Sequence, residues 1–459
     1  MNNPLTLEFA QAFVQDSHDV NLSKFTSITE SAAQVLAGHC EELALDGLTT
    51  ISDTAALALA HHKGGHLSLP GLTIVSDSVA LALAQNEGFL LLDGLTMLSE
   101  TVAQALAQHK GYDLSLNGLT ILSDASASAL ARYKGHNLSL AGLATLSDAA
   151  VLALSQFQGQ LFLDGLTTLS DAAAEALTEQ NGWLSLKSLI TLSDSAAQVL
   201  AKHKGGSLSL NGLATLSDAA VESLAEYKGH LSLEGLTALS DVGAQALACR
   251  NGNLSLNGLK TFSDASAQAL AKHKGGVLSL DGLTTLSEAA GRALAKYEGH
   301  VLSLDGVIML TDDAILALAQ YEGSLSLRGL TTLSDKVAKD LAWRSGDLNL
   351  DGLETLSENT AQLLAQHEGY LSLNGLKTLS DAAALALAQH KGSCLSLNGL
   401  AALSDATAQA LAQHKGNLLY LNGLTTLTSA ATEALAQYEG NLHLNGLTED
   451  SIGYWLRWR

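Results

Sequence analysis

Proline is nearly missing from this sequence, with two in 459 residues, and aromatic residues make up only 4% of it although 47% are hydrophobic. A core with so few rings must be built from Leu and Ala, punctuated by 41 glycines. That combination argues against the two to four globular domains that such a length would ordinarily hold, and for one small unit repeated many times. Cysteine is as scarce: Cys40, Cys249 and Cys394 lie far apart and cannot all pair. Reduced thiols in a cytoplasm fit best. No stretch reaches the roughly 18 unbroken apolar residues that a membrane-spanning helix needs. Residues 1–19 carry no basic segment followed by an apolar run, so no standard secretory signal is read there, and export without one is the alternative. Basic residues are few, 24 against 46 acids for a net charge of −22. Phosphate-backbone binding needs clustered Lys and Arg, so nucleic acid is excluded as a partner. No phosphate loop, paired-cysteine metal motif or nucleophile elbow occurs.

What the chain does contain is a period. Gly47, Gly71, Gly94, Gly118, Gly142, Gly165, Gly212, Gly235, Gly258, Gly282, Gly306, Gly329, Gly352, Gly375, Gly399, Gly423 and Gly446, with Ser188 in the same slot, recur at intervals of 23 or 24 residues. A degenerate first copy, Val20 to Phe25, puts Lys24 in the Gly slot and makes 19 copies. Each reads as strand, turn and helix. Leu114-Ser115-Leu116 alternates as a half-buried strand does. Asn117-Gly118 supplies turn chemistry, because both residues tolerate positive φ. Ser123-Asp124 then starts a helix, and all 18 complete copies have Ser or Thr in that cap slot. Seventeen follow it with Asp or Glu, at the positive end of the helix dipole; Ser429 is the exception. A narrow stripe such as Ala197, Leu200 and Ala201 is the buried face, and a Gly such as Gly205 is expected to cap the C-terminus. The helices are expected to run about 11 residues, roughly 17 Å. No copy can bury its own apolar face, so stacking must make the core.

Strand–turn–helix units of this length with Leu-x-Leu strands resemble leucine-rich repeats, here over residues 20–448. The matching columns are the strand leucines, the Asn or Asp before the Gly, and the two leucines after it. The Gly-Leu-Thr-x-Leu-Ser-Asp blocks are closest to a variant found in large bacterial repeat proteins. The resemblance implies an α/β, right-handed solenoid, a horseshoe or arc, with short parallel strands on its concave face and helices on its convex face. Residues 1–19 and 449–459 are read as caps over its raw ends: the first holds Leu5, Leu7, Phe9, Phe13 and Val14, the second Trp455 and Trp458.

Two columns invite a chemical reading. The helix-end column holds His39, His62, His109, His203, His273, His367, His390 and His414, alternating with Tyr133, Tyr227, Tyr297, Tyr321 and Tyr438. His367, His390 and His414 fall in consecutive copies, yet Phe157, Gln180 and Arg250 substitute in the same column, and zinc takes none of these as routine ligands. No metal or other cofactor is expected; the column reads as amphipathic side chains covering the helix ends and facing their negative pole. The strand column between the leucines is Ser in 12 of 19 copies. It reads as a solvated strand face, or else as a hydroxyl ladder at the ~4.8 Å strand spacing, suited to a repetitive ligand such as a glycan or ice lattice. No base stands beside these serines, so no catalytic residue is assigned. The acidity is likewise structural: 17 acids sit at helix starts and seven more, including Asp46, Asp93 and Asp164, precede the Gly, together 24 of the 46.

The breaks in the Ser column are the candidate site. Leu91, Phe162 and Tyr420 place large side chains where Ser is the rule, and Lys187 and Arg328 place cations where Asn or Asp is the rule. A surface of identical rows distinguishes no partner, and aromatic and Arg residues are the usual anchors of interfaces. The expected function is a non-enzymatic scaffold that binds a protein partner on the concave strand face, which is what the resemblance implies for most such solenoids. The alternatives are a structural protein that self-associates through its ends and, more weakly, a glycan or surface binder using the Ser ladder.

Overall fold

The computed structural model describes residues 3–17 and 20–447. Trp455, Trp458 and the cap expected over 449–459 lie outside the described residues. The chain divides into two compact units, Met1–Leu233 and Glu234–Arg459. In the first, nine strands from Leu43–Ala44 to His230–Ser232 pair side by side, all parallel. In the second, nine more from Leu254–Ser255 to Asn441–His443 do the same. Each strand is two or three residues long and is followed by a turn and a helix. Register is set by leucines: Leu90, Leu114, Leu138 and Leu161 pair in succession and are buried.

One coil illustrates the construction. Strand Asp113–Ser115 turns at Asn117-Gly118, Leu119 enters the core, and Ser123 caps helix Asp124–Leu130 by accepting the Ser126 amide at 3.1 Å. The same cap is made at all 18 repeat helices. These helices are seven or eight residues long, shorter than the sequence suggests. The reason lies in the column after them. Tyr133 is buried, so the chain tightens into i→i+3 bonds, Arg132 to Ala129 and Tyr133 to Leu130, to turn that side chain inward.

The glycines correct the sequence reading most clearly. No described non-Gly residue has positive φ, and among the described glycines only Gly65 and Gly346 do. Gly118 is therefore not chosen for a left-handed turn, nor does Gly205 cap a helix in that conformation. Both lack room instead. A Cβ on Gly118 would lie 1.9 Å from the Asp93 carbonyl oxygen, and one on Gly205 would lie 1.9 Å from that of Gly182. Each turn passes so close to the backbone of the preceding repeat that only a hydrogen fits.

Two polar ladders tie neighbouring repeats together. At the strand end, Asp93 accepts Ser115 Oγ at 2.6 Å and the Asn117 amide at 2.9 Å, and Asn117 serves Ser139 and the Ala141 amide in the same way. At the helix start, the cap serine of one repeat donates to the acid of the repeat before, as Ser193 does to Asp171 at 2.6 Å and Ser287 to Asp264 at 2.6 Å. A hydroxyl donates and accepts at once, so the cap also bonds its own helix. The acids thus do more than meet helix dipoles. They join one repeat to the next.

At the start of the first unit, helix Leu7–Gln15 lies against helix Glu30–Ala37, and strand Pro4–Leu5 pairs with Ser27–Ile28. Phe9 packs against Phe25 with ring centroids 5.0 Å apart and planes tilted by 48°.

Candidate interaction site

The Ser row is less open than a solvated ladder. Ser279 donates to Asn257, Ser303 to Asp281, Ser326 to Asp305, Ser372 to Asp351 and Ser396 to Asn374, at 2.5–2.7 Å. Ser185, Ser232, Ser255, Ser372 and Ser396 are buried. Nine of the row's 12 serines commit their hydroxyl protons to the neighbouring repeat, which leaves no continuous lattice of free donors for a repetitive ligand.

The same ladder explains two of the breaks, Leu91 and Phe162, though not Tyr420, which follows Asn398. Leu91 follows the repeat in which Pro70 takes the Asn/Asp slot, and Phe162 follows the repeat with Ala141 there. Without an acceptor behind it a serine has no partner, and an apolar residue replaces it. Lys187 shows the cost of the other choice. It occupies the slot itself, and the Ser209 hydroxyl that would use that slot is enclosed with no partner among the described residues. Arg328 also occupies a slot, and the next repeat carries Asn349, which turns its amide oxygen to its own loop at Asp351 N, 3.0 Å away.

Loss of the acceptor accounts for the missing serine but not for the size of its replacement. Leu91 and Phe162 are partly exposed in the first unit, three strands apart, roughly 14 Å at ~4.8 Å per strand. Lys187, half exposed, pairs with Asp164 at 3.2 Å. In the second unit Arg328 stands 3.9 Å from both Asp305 and Asp351, and Tyr420 stacks on His443 with centroids 4.4 Å apart. The two cations neutralise ladder carboxylates before they meet any partner.

A row that the sequence reading passed over stands just upstream of the Ser column, with His66, Phe89 and Gln160 two residues before it on their strands and Tyr112 and His136 three residues before it, ahead of theirs. It begins His66 and Phe89, stacked at 4.1 Å with planes 7° apart. Phe89 approaches Tyr112 at 6.4 Å, Tyr112 approaches His136 at 4.8 Å, and His136 Nε2 meets Gln160 Nε2 at 2.9 Å. Tyr112 is 57% exposed, and Trp183, immediately before the strand that pairs with Gln160–Phe162, is 54% exposed. Five side chains in contact across five repeats form a ledge roughly 20 Å long. Leu91 and Phe162 border it, with Ser115 and Ser139 between them. The signal was present as an aromatic cluster one column away from the serines, in a chain with few aromatics.

The helix-end column is internal. His62, His109, His203, His273, His367, His390 and His414 are buried, and rings follow one another at 5.7–6.2 Å, as in His390–His414 and His414–Tyr438. Burial holds all seven below the ordinary imidazole range, His390 to about 3, so they stand neutral and do not face helix ends as cations. Tyrosines in the column send their hydroxyl to a glycine carbonyl of the preceding repeat, as Tyr227 does to Gly205 at 2.6 Å. Arg344 does so with both terminal nitrogens, reaching the carbonyls of Tyr321, Gly323, Gly346 and Asp347. Among the described residues no cluster of His, Cys, Asp or Glu could hold a metal ion, and no helix is long and apolar enough to cross a membrane.

No protein-family model matches the chain, and no curated protein does. Solved structures do align with it. A leucine-rich-repeat protein of Leptospira interrogans is 22% identical at a TM-score of 0.37, over 85% of this chain and 92% of that one. The Toll–Spätzle complex of Drosophila aligns at 14% identity and a TM-score of 0.35, over 78% of this chain and 42% of that chain. The class follows from the coil itself: short parallel strands in leucine register, an Asn/Asp ladder at the strand end of most repeats, and a returning helix in every described repeat. The fold is a leucine-rich-repeat solenoid.

Proposed function

We propose that the chain is a non-catalytic interaction scaffold, and that a protein partner lies on the strand face of its first unit, with Leu91 and Phe162 as apolar contacts. The ledge beside them carries the reading. Tyr and Trp are the residue types most enriched at the centres of interfaces, and here they stand exposed in a chain that hides most of its tyrosines. Lys187 in the same unit, and Arg328 and Tyr420 in the second, are further proposed contacts. Catalysis has no place in this reading, because the serines of the face donate to the carboxylates and amides of the ladder. A glycan read through the Ser ladder loses its support for the same reason.

The test is capture of partners from a lysate by the full chain and by the Leu91→Ser/Phe162→Ser variant, identified by mass spectrometry. Both proteins should melt at the same temperature. A partner held by the parent and lost by the variant supports the reading; capture of the same proteins by both removes the strand face from consideration.

A further inference from the structure

Cations are scarce in this acidic chain, yet three of them gather where two helices end. In the first unit a groove of about 720 Å³ runs between the C-terminal ends of helices Glu100–Leu106 and Asp124–Leu130, floored by Ala107 and Ala129. Lys110, Arg132 and Lys134 line it, all exposed, and they are three of the 9 Lys and Arg of that unit. None of the three side chains makes an ion pair or a hydrogen bond among the described residues. No acid lines the groove, and Glu87, one repeat before Lys110 in the same column, is not paired with it. Helix dipoles do not account for the cluster. A cation at a helix C-terminus is favourable, but Glu87, Glu298, Glu322, Glu368 and Glu439 hold the column of Lys110 and Lys134 in other repeats. Gln156 and Gln158 replace Arg132 and Lys134 in the very next one. Grooves between helix ends in the second unit sharpen the contrast. Those between Glu358–Leu364 and Asp381–Leu387, and between Asp405–Leu411 and Ser429–Ala436, carry Gln and acids and no Lys or Arg. A third, between Asp264–Leu270 and Glu288–Leu294, has Lys272, Lys274 and Lys296, but Glu298 shares its lining and Arg292 there is paired with Glu288.

We propose that the first-unit groove binds a small oxyanion carrying two or more phosphate or sulfate groups. Three like charges gathered without a counter-charge repel one another, and a bound anion removes that repulsion. The rings of His109 and Tyr133 stand 5.7 Å apart, so Lys110 and Lys134, each the next residue, leave adjacent coils at about that spacing and close on one anion from both sides. Arg132 adds a forked donor, which bonds two oxygens of one phosphate or sulfate. The ligand must carry several charges. The first unit has 23 Asp and Glu against 9 Lys and Arg, a formal −14, which repels an anion held by a single contact. It must also be small, because the same two helices start at Glu100 and Asp124 and a long polyanion such as nucleic acid would meet acids beyond the groove. No large apolar side chain lines the groove, so a protein finds no anchor in it. The site lies at helix ends, away from the strand face, and does not depend on the partner proposed there.

The test is calorimetric titration of the full chain with sodium tripolyphosphate in phosphate-free buffer, with sodium chloride matching the ionic strength. Binding should survive about 0.15 M salt, where long-range charge is screened. Lys110→Gln/Arg132→Gln/Lys134→Gln installs the residue type that these columns hold elsewhere, so it should melt as the parent does. It should weaken the first association about tenfold or more. Lys260→Gln/Lys336→Gln/Lys377→Gln removes the same charge outside the groove and should leave binding unchanged. A fully sulfated disaccharide titrated in parallel separates the sources: whichever anion binds more tightly, with the same loss in the groove variant, names phosphate or sulfate. Failure of both anions to bind the parent overturns the proposal, as does unchanged affinity in the groove variant. Equal loss in the two variants also overturns it, as a general effect of charge. Attachment of phosphatidylglycerol vesicles that needs the three cations, with no binding of either small anion, overturns it in favour of a membrane surface.

Discussion

At the scale of single residues, this solenoid is organised by what has no room. Gly118→Ala would place a methyl carbon against the Asp93 backbone, whereas Gly65, at φ +79°, has open space around its missing Cβ. The two glycines therefore serve different physical needs within one chain. Gly118→Ala is expected to cost about 1–3 kcal/mol or more, because a whole turn must shift. Gly65→Ala should cost about 1 kcal/mol, for the left-handed backbone alone. Urea unfolding of both variants checks this, and a larger loss at Gly65 would show that the turns are not closely stacked.

The histidine column makes a residue-scale prediction about pH. Seven imidazoles have folded values below 6.5, while the unfolded chain titrates near 6.5. Between those values the unfolded state binds more protons, so stability is fully present above pH 6.5 and falls as the pH drops below it. Each buried histidine contributes up to about 1.4 kcal/mol per pH unit in that window. His390→Tyr, a residue the column accepts at Tyr133 and Tyr321, should flatten the dependence between pH 6.5 and 4. An unchanged slope in urea midpoints would mean that His390 is not buried neutral. Asp241 and Asp381 act at lower pH: the hydroxyls of Ser263 and Ser404 hold their carboxyls below the usual range, so this contribution is lost as those carboxyls protonate.

At the scale of elements, a cap is shared by two repeats. Ser217 accepts the Ala220 amide at 3.0 Å and donates to Asp194 of the repeat before. Ser217→Ala should therefore cost about 1 kcal/mol for the cap, with the Asp194 bond lost besides. Leu210→Ala, at a fully buried strand leucine, should cost about 2–5 kcal/mol through the cavity it leaves. Chemical denaturation orders the two. A larger loss for the cap would mean that the ladders, not the leucines, hold the coils together. For binding, Leu91→Ser and Phe162→Ser should weaken the partner complex without moving the melting temperature, because neither side chain fills the core.

At the scale of the molecule, stability is a sum of repeats and the contacts between neighbours, as the recurrence of the same columns implies. The acidic ladders recur with them, so the high negative charge is distributed along the chain and opposes self-association. Light scattering over a concentration series should return one mass. Growth of mass with concentration would bring back the reading in which solenoid ends assemble.

The leucine register, the Ser and Thr caps and the 23- or 24-residue period were legible in the sequence, because each is a local rule repeated often enough to read without knowing what lies across the sheet. The columns that depend on the neighbouring repeat were not. Gly118 looks like a turn glycine until the Asp93 carbonyl is seen beside it, and a histidine at a helix end looks exposed until the short helix turns it inward. Leu91 and Phe162 were visible as breaks, but their link to Pro70 and Ala141 spans 21 residues and exists only when coils stack. Nothing in the column of one sequence says which donors the next coil brings into reach, and that is decided by packing alone.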